Sequence, residues 1–159
     1  MQGHIKIFQA NVARTPEAHD IALNLAHAEG SDLILLQEPW TTILDNKCLT
    51  KCHPAYDTYS PTEEWEEARP RTMTYVLKSK GLDAEQLRPA ATADVLWLVV
   101  AGLVIVNVYR VPQTDEVVNI LETWTVPPAN TFIARDFNAV YLIWQAGARP
   151  TNKAARIAR

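Results

Sequence analysis

Apolar and polar positions alternate through HIKIFQAN, so the chain from His4 to Asn11 is predicted to be a strand. The period then lengthens. In RTPEAHDIALNLAHAEG, residues Ala18, Ile21, Ala22, Leu25 and Ala26 fall at i, i+3, i+4, i+7 and i+8, one apolar stripe of a helix. Thr15 suits the cap, Pro16 the first helical position, and Glu17 the positive end of the helix dipole. Gly30 ends the helix. The almost wholly apolar DLILLQEP that follows predicts a strand covered on both faces. Strand, helix and strand with tight connections make an α/β opening.

From Trp40 to Arg71 the periodicity is lost, and a long surface excursion is expected, punctuated by Pro54, Pro61 and Pro70. Its acidic TEEWEEAR, with Glu63, Glu64, Glu66 and Glu67, reads as a solvated turn rather than a metal cluster, because nothing there holds the carboxylates rigidly. TMTYVLKS predicts another strand. DVLWLVVAGLVIVNVYRVP predicts a hairpin of two core strands turning at Ala101–Gly102. DEVVNILETW has a helical period through Val117, Ile120, Leu121 and Trp124. NTFIARDFN predicts a last strand, and NKAARIAR the start of a short basic helix. No internal repeat or low-complexity tract interrupts the pattern.

At 159 residues, 48% hydrophobic and 21% charged, the chain has the composition of one globular domain. A formal net charge of −3 argues against a generic nucleic-acid coat. It leaves room for an enzyme that meets phosphate through a metal ion. Cys48, Cys52 and His53 lack the second ligand pair of a structural zinc site, so they read as loop thiols in a reducing compartment. The apolar stretch from Val95 to Val108 is broken by Gly102 and too short to span a bilayer. MQGHIKIFQAN lacks the basic start and long apolar run of a signal peptide. The expectation is a soluble intracellular protein, nuclear or cytoplasmic.

Four apolar strands end in polar groups of one chemical kind. The first ends at Asn11, the second at Glu38, the third at Asn107 and Tyr109 with Arg110 following, and the fourth at Asp136 and Asn138. Strand ends at one edge of an α/β sheet converge, and such folds place ligands there. Alone, each residue reads as a cap or a turn; together they point to a site. Two carboxylates and several amides are hard oxygen ligands suited to magnesium, which is held by one or two carboxylates plus substrate phosphate. Asp136 is placed to orient or deprotonate a water, and Asn138, Asn11 and Tyr109 to hold phosphate oxygens.

The segments IFQANVAR, LILLQEPW, RPRTMTYV, VNVYRVP and ARDFNAVYLIWQ, in this order and spacing, resemble the endonuclease/exonuclease/phosphatase superfamily, the DNase I-like fold. More narrowly they resemble the apurinic-type endonuclease domain of LINE-type (non-LTR) retrotransposons, particularly fungal ones. The resemblance runs from about Lys6 to the end of the chain. It implies one domain over residues 1–159 with a DNase I-like four-layer α/β/β/α sandwich. It implies a magnesium-dependent DNA endonuclease, with manganese as an alternative ion, that nicks target DNA for a fused reverse transcriptase. Glu38 would bind the metal and Asn11 support it. Tyr109 would contact the scissile phosphate, Asp136 align or activate the attacking water, and Asn138 hold the phosphate.

The chain departs from that pattern in three ways. Arg135 stands where the family has the glycine of Gly-Asp-Phe-Asn, and VYLIW follows the alanine after the motif. The family's later aspartate and terminal Ser-Asp-His element have no counterpart, since the four histidines stand at 4, 19, 27 and 53. These departures imply a sandwich incomplete at its C-terminal side, with apolar surface and a sheet edge exposed. They also imply very poor nicking, or none, by the 159-residue polypeptide. The competing expectation is a catalytically inactive remnant that at most binds nucleic acid or a protein partner. A third, within the same superfamily, is a phosphorylated small molecule or lipid as substrate.

Overall fold

A computed structural model of the chain describes residues 4–62, 69–125 and 130–136. Asn138, the four glutamates of the acidic segment and the basic C-terminal residues lie outside the described residues.

The chain opens with strand β1 (Ile7–Asn11), helix α1 (Pro16–Ala28) and strand β2 (Leu33–Gln37). Strands β3 (Thr41–Leu44), β4 (Lys47–Thr50), β5 (Tyr56–Tyr59), β6 (Thr72–Leu77), β7 (Ala84–Leu87), β8 (Val95–Val100) and β9 (Leu103–Tyr109) follow. Helix α2 (Glu116–Thr123) and strand β10 (Thr131–Asp136) complete the described elements. One sheet has the order β1-β2-β6-β5 and a second the order β10-β9-β8-β7, while β3 and β4 form a separate ribbon. Each large sheet holds one parallel pair, β1 with β2 and β9 with β10, and the other pairings are antiparallel. Each parallel pair is joined through a helix, as a parallel crossover requires.

Strand alternation writes the layers. In β2, Ile34 and Leu36 point to α1, while Leu33 and Leu35 point to the other sheet. In β8, Leu96, Leu98 and Val100 face inward, while Val95 and Trp97 face α2. Three apolar cores result. Ala22, Leu23 and Ala26 of α1 lie on Ile34, Leu36, Met73 and Tyr75. Leu33, Leu35 and Val76 meet Leu96, Leu98, Ile105 and Ala134 between the sheets. Val117 of α2 lies on Trp97, Val104, Val106 and Val108. Helix, sheet, sheet and helix are therefore stacked in that order. Trp97 and Trp124 meet edge to face with ring centres 6.0 Å apart, a geometry worth about 0.5–1.5 kcal/mol beyond the area it buries.

The hairpin predicted at Ala101–Gly102 forms with both residues in the left-handed region, at φ 49° and 79°, the signature of a two-residue type I′ turn. The stripe predicted for α1 is corrected. The buried face is His19, Ala22, Leu23 and Ala26, and Ile21 and Leu25 are exposed. The helix is turned by about one residue because His19 finds hydrogen-bond partners inside, and two alanines let the helix approach the sheet closely. The unbroken excursion expected from Trp40 to Arg71 is also corrected. It contains the β3–β4 ribbon and edge strand β5. Leu44 pairs with Lys47 across Asp45 and Asn46, both left-handed. Strand β7, unpredicted, pairs with β8. Phe132 and Ile133 of β10 are exposed.

Candidate active site

Strand β1 runs into a loop with two consecutive left-handed residues, Ala13 and Arg14, at φ 49° and 56°. Asn11 closes this turn: its Oδ1 accepts the Ala13 N–H at 2.8 Å. That bond decides which way the amide faces. Asn11 Nδ2 is left to donate to Asp136 Oδ2, at 2.9 Å, across to the second sheet. Asp136 ends β10 and is the backbone partner of Tyr109 in the parallel register with β9.

Glu38 follows β2 with φ 50°, a left-handed conformation that costs a side-chain-bearing residue free energy. Its surroundings over-determine it. Its N–H donates to the Arg71 carbonyl, and its own carbonyl accepts the Arg14 N–H, both at 2.8 Å. The twist aims the side chain at the second sheet, where Tyr109 Oη donates to Glu38 Oε1 at 2.6 Å. Arg14 lies 3.6 Å from the same oxygen. Asn11, Glu38, Tyr109 and Asp136 are thus brought together at one end of the two sheets. Asn138 is outside the described residues.

The Tyr109 phenol is pushed up to about 12, first by burial and then by the hydrogen bond to Glu38 and that carboxylate's charge. It therefore stays a protonated donor at neutral pH. Beneath it, Asp94 accepts a bond from Arg71 Nη1 at 2.5 Å, with Asp94 almost wholly buried. Burial raises the Asp94 carboxyl, and Arg71 opposes that shift. The pair is part of the site's frame, since the Asp94 carbonyl accepts the Tyr109 N–H at 2.9 Å and the Arg71 carbonyl accepts the Glu38 N–H. The sequence alone does not single out this pair. The only signal was a charged residue standing just before each of two apolar strands.

Asn107, one of the polar strand ends, is corrected from a site candidate to a structural tie. It is fully buried. Its Oδ1 accepts Gln37 Nε2 at 2.6 Å, and its Nδ2 donates to the carbonyls of Met73 and Leu36 at 2.9 and 3.2 Å. It thereby bolts β9 to the first sheet directly behind the site. Gln9 Nε2 reaches the Arg135 carbonyl at 3.2 Å, another bridge between the sheets. Arg135 itself is exposed, and the Arg110 N–H donates to the Asp136 carbonyl at 2.7 Å.

His19 supports the site from the other side. Its Nδ1 accepts the N–H of Trp40, two residues after Glu38, at 3.1 Å. Its Nε2 lies 2.7 Å from Tyr75 Oη, and that hydroxyl donates to the Lys51 carbonyl at 2.8 Å. The tautomer follows: Nδ1 accepts, so Nε2 carries the proton. His27 and His53 meet with ring centres 4.5 Å apart beside Tyr56. Cys48 and Cys52 are free thiols.

The carboxylates of Glu38 and Asp136 are the groups of this cluster that could hold a metal ion. Among the described residues no group of three or more His, Cys, Asp and Glu forms a fuller ligand cage. No described helix is long and apolar enough to cross a membrane.

No family model and no curated protein matches this sequence. Solved structures do. The endonuclease domain of TRAS1, a telomere-specific non-LTR retrotransposon, superimposes with a TM-score of 0.76 at 16% identity, over 98% of this chain and 68% of that one. An AP endonuclease, LMAP from Leishmania major, superimposes with a TM-score of 0.60 at 17% identity, over 95% of this chain and 60% of that one. At such identities the likeness is one of fold, and the fold is the DNase I-like sandwich of the two neighbours. Both neighbours fit the resemblance that the five sequence motifs carry.

Proposed function

We propose that this chain is a magnesium-dependent DNA endonuclease domain of retrotransposon origin, which nicks target DNA so that a fused reverse transcriptase can prime there. One observation carries the reading. Two hydrogen-bonded pairs, Asn11 with Asp136 and Tyr109 with Glu38, each join a strand end of one sheet to a strand end of the other. Such a set offers one carboxylate for a water, another for a cation, and donors for a phosphate.

The donor set suits magnesium. Glu38 is a hard carboxylate, and one suffices for an ion that keeps several waters and shares the substrate's phosphate. The bound ion would supply positive charge against the phosphate. The chain's own residues do the rest. Asp136, oriented by Asn11 Nδ2, holds the attacking water and takes its proton as the new P–O bond forms. A primer needs a free 3′ hydroxyl, so the bond that breaks is the one between phosphorus and O3′; O3′ takes a proton from solvent water and leaves as the hydroxyl, and Asp136 returns its proton to solvent. Tyr109 stays protonated, and its single hydroxyl proton serves one acceptor at a time. In the substrate complex that proton turns from Glu38 to a phosphate oxygen.

The test is nicking of supercoiled plasmid with and without magnesium, comparing the full chain with Asp136→Ala and Asn11→Ala. The expected result is slow, magnesium-stimulated nicking that disappears in Asp136→Ala. Asn11→Ala should slow it by about a hundredfold, as for loss of one pre-oriented donor. Equal nicking by Asp136→Ala would overturn the assignment. A folded chain that binds DNA and magnesium without ever nicking would establish the inactive remnant instead.

A further inference from the structure

Beside Glu38 lies a cavity of about 530 Å³, within the range of small-ligand sites. Arg14, Pro39, Trp40, Thr41, Arg69 and Arg71 line it. Its lining offers one tryptophan and three arginines among prolines and threonines. An apolar ligand would leave the guanidinium groups desolvated, and an inorganic anion would have no use for the indole. A nucleotide uses both: bases of any kind stack on an aromatic face, and guanidinium groups pair with phosphate oxygens.

Position adds to composition. The cavity adjoins the catalytic cluster through Arg14, whose guanidinium is 3.6 Å from Glu38, and through Arg71, whose carbonyl holds the Glu38 N–H. The lining is also held in place. Arg69 Nη1 donates to the Thr41 carbonyl at 3.1 Å, Arg71 is paired with Asp94, and the Trp40 N–H is tied to His19. Lys51 Nζ, paired with Asp20 at 2.8 Å, sits 5.3 Å from the centre of the Trp40 ring and covers that face.

We infer that this cavity is a nucleotide subsite. It takes one unstacked nucleotide of the DNA strand next to the scissile phosphate, the base against Trp40 on the face opposite Lys51 and the phosphate between Arg14 and Arg69. The inference deepens the endonuclease reading and rests on it for the identity of the ligand. A base enters this cavity only when it leaves the duplex stack. The subsite therefore favours single-stranded DNA and easily unstacked pyrimidine–purine steps, and it biases where the nick falls. Trp40 is a specificity-determining residue in this account, and Arg69 a phosphate-positioning one.

The test separates the subsite from catalysis by omitting metal. Quenching of tryptophan fluorescence by a thymidine tetranucleotide is followed in EDTA, with an abasic tetranucleotide as the control probe. Trp40→Leu should lose the quench and bind about tenfold more weakly, the effect of one lost base stack. Trp40→Phe should keep most of the affinity. The abasic probe should bind the native chain and Trp40→Leu equally. Arg69→Ala should lower the salt dependence by about 0.7 in log–log slope, the value for one single-strand phosphate contact. A folded Trp40→Leu chain that binds and quenches like the native one would overturn the subsite. So would an abasic probe that binds the native chain as tightly as the thymidine one. If instead Asp136→Ala nicks like the native chain while the Trp40 quench persists, catalysis has been misassigned and the subsite stands.

Discussion

Acidification turns the environment of His19 against the fold. At neutral pH the ring is fully buried, its Nδ1 accepting from the Trp40 N–H and its Nε2–H donating to Tyr75. Protonating Nδ1 would set two donors face to face, with no water to take either. Burial accordingly holds the His19 pKa at about 4, against an ordinary value of 6.5, with Asp20 pulling it up and Lys51 pushing it down. The unfolded chain thus binds a proton near pH 6.5 that the folded chain refuses until about pH 4. Stability is fully present above the upper value and is lost as pH falls through this window. At 1.36 kcal/mol per pKa unit the loss is about 3 kcal/mol, a large part of the roughly 5–15 kcal/mol that holds a typical domain together. The perturbation is His19→Gln, which keeps a hydrogen-bonding side chain but cannot titrate. Urea unfolding of both proteins across this pH range gives the answer as a difference. His53, whose imidazole burial also pushes down, titrates in both and cancels. So does Asp94, whose raised carboxyl pKa works in the opposite direction. The native chain should lose about 3 kcal/mol more than the variant. Parallel pH profiles would refute the reasoning. The bond to Trp40 carries the effect to the site, so loosening of the segment after Glu38 should accompany it.

Three further outcomes are expected. Tyr109→Phe removes the hydroxyl that donates to Glu38 at 2.6 Å; nicking should fall about a hundredfold in single-turnover assays with the circular dichroism spectrum unchanged. Asn107→Leu strands the Gln37 amide inside the sandwich and removes the side-chain bonds to the Met73 and Leu36 carbonyls; urea unfolding should show a loss of about 2 kcal/mol. Titrating magnesium should raise the thermal midpoint, as any ligand of the folded state does, and Glu38→Ala should abolish the rise; an equal rise in that variant would place the ion elsewhere.

Much of the candidate cluster was legible because a strand's period is local. An apolar run that stops on Asn11, Glu38, Tyr109 or Asp136 announces a strand end, and in a layered α/β fold strand ends gather. The β8–β9 hairpin and the face of α2 were legible for the same reason: turn chemistry and helical period are written in neighbouring residues. The β3–β4 ribbon was not, because a pair of strands outside the main sheets has little core to write an alternation for. The face of α1 was not, because His19 counts as interior only once Tyr75 and Trp40, far along the chain, supply its partners. Asn107 misled in the opposite sense. A polar residue near a strand end reads as a ligand, and only the opposing sheet, through Gln37, makes it a bolt. What the sequence by itself determined was therefore the identity of the groups at the strand ends. Which of them touch was decided by the tertiary structure. Asn11 and Asp136 are 125 residues apart, and no local preference spans that distance. Their contact exists because two βαβ units, each locally encoded, bury their apolar faces against one another and bring their polar ends to the same edge.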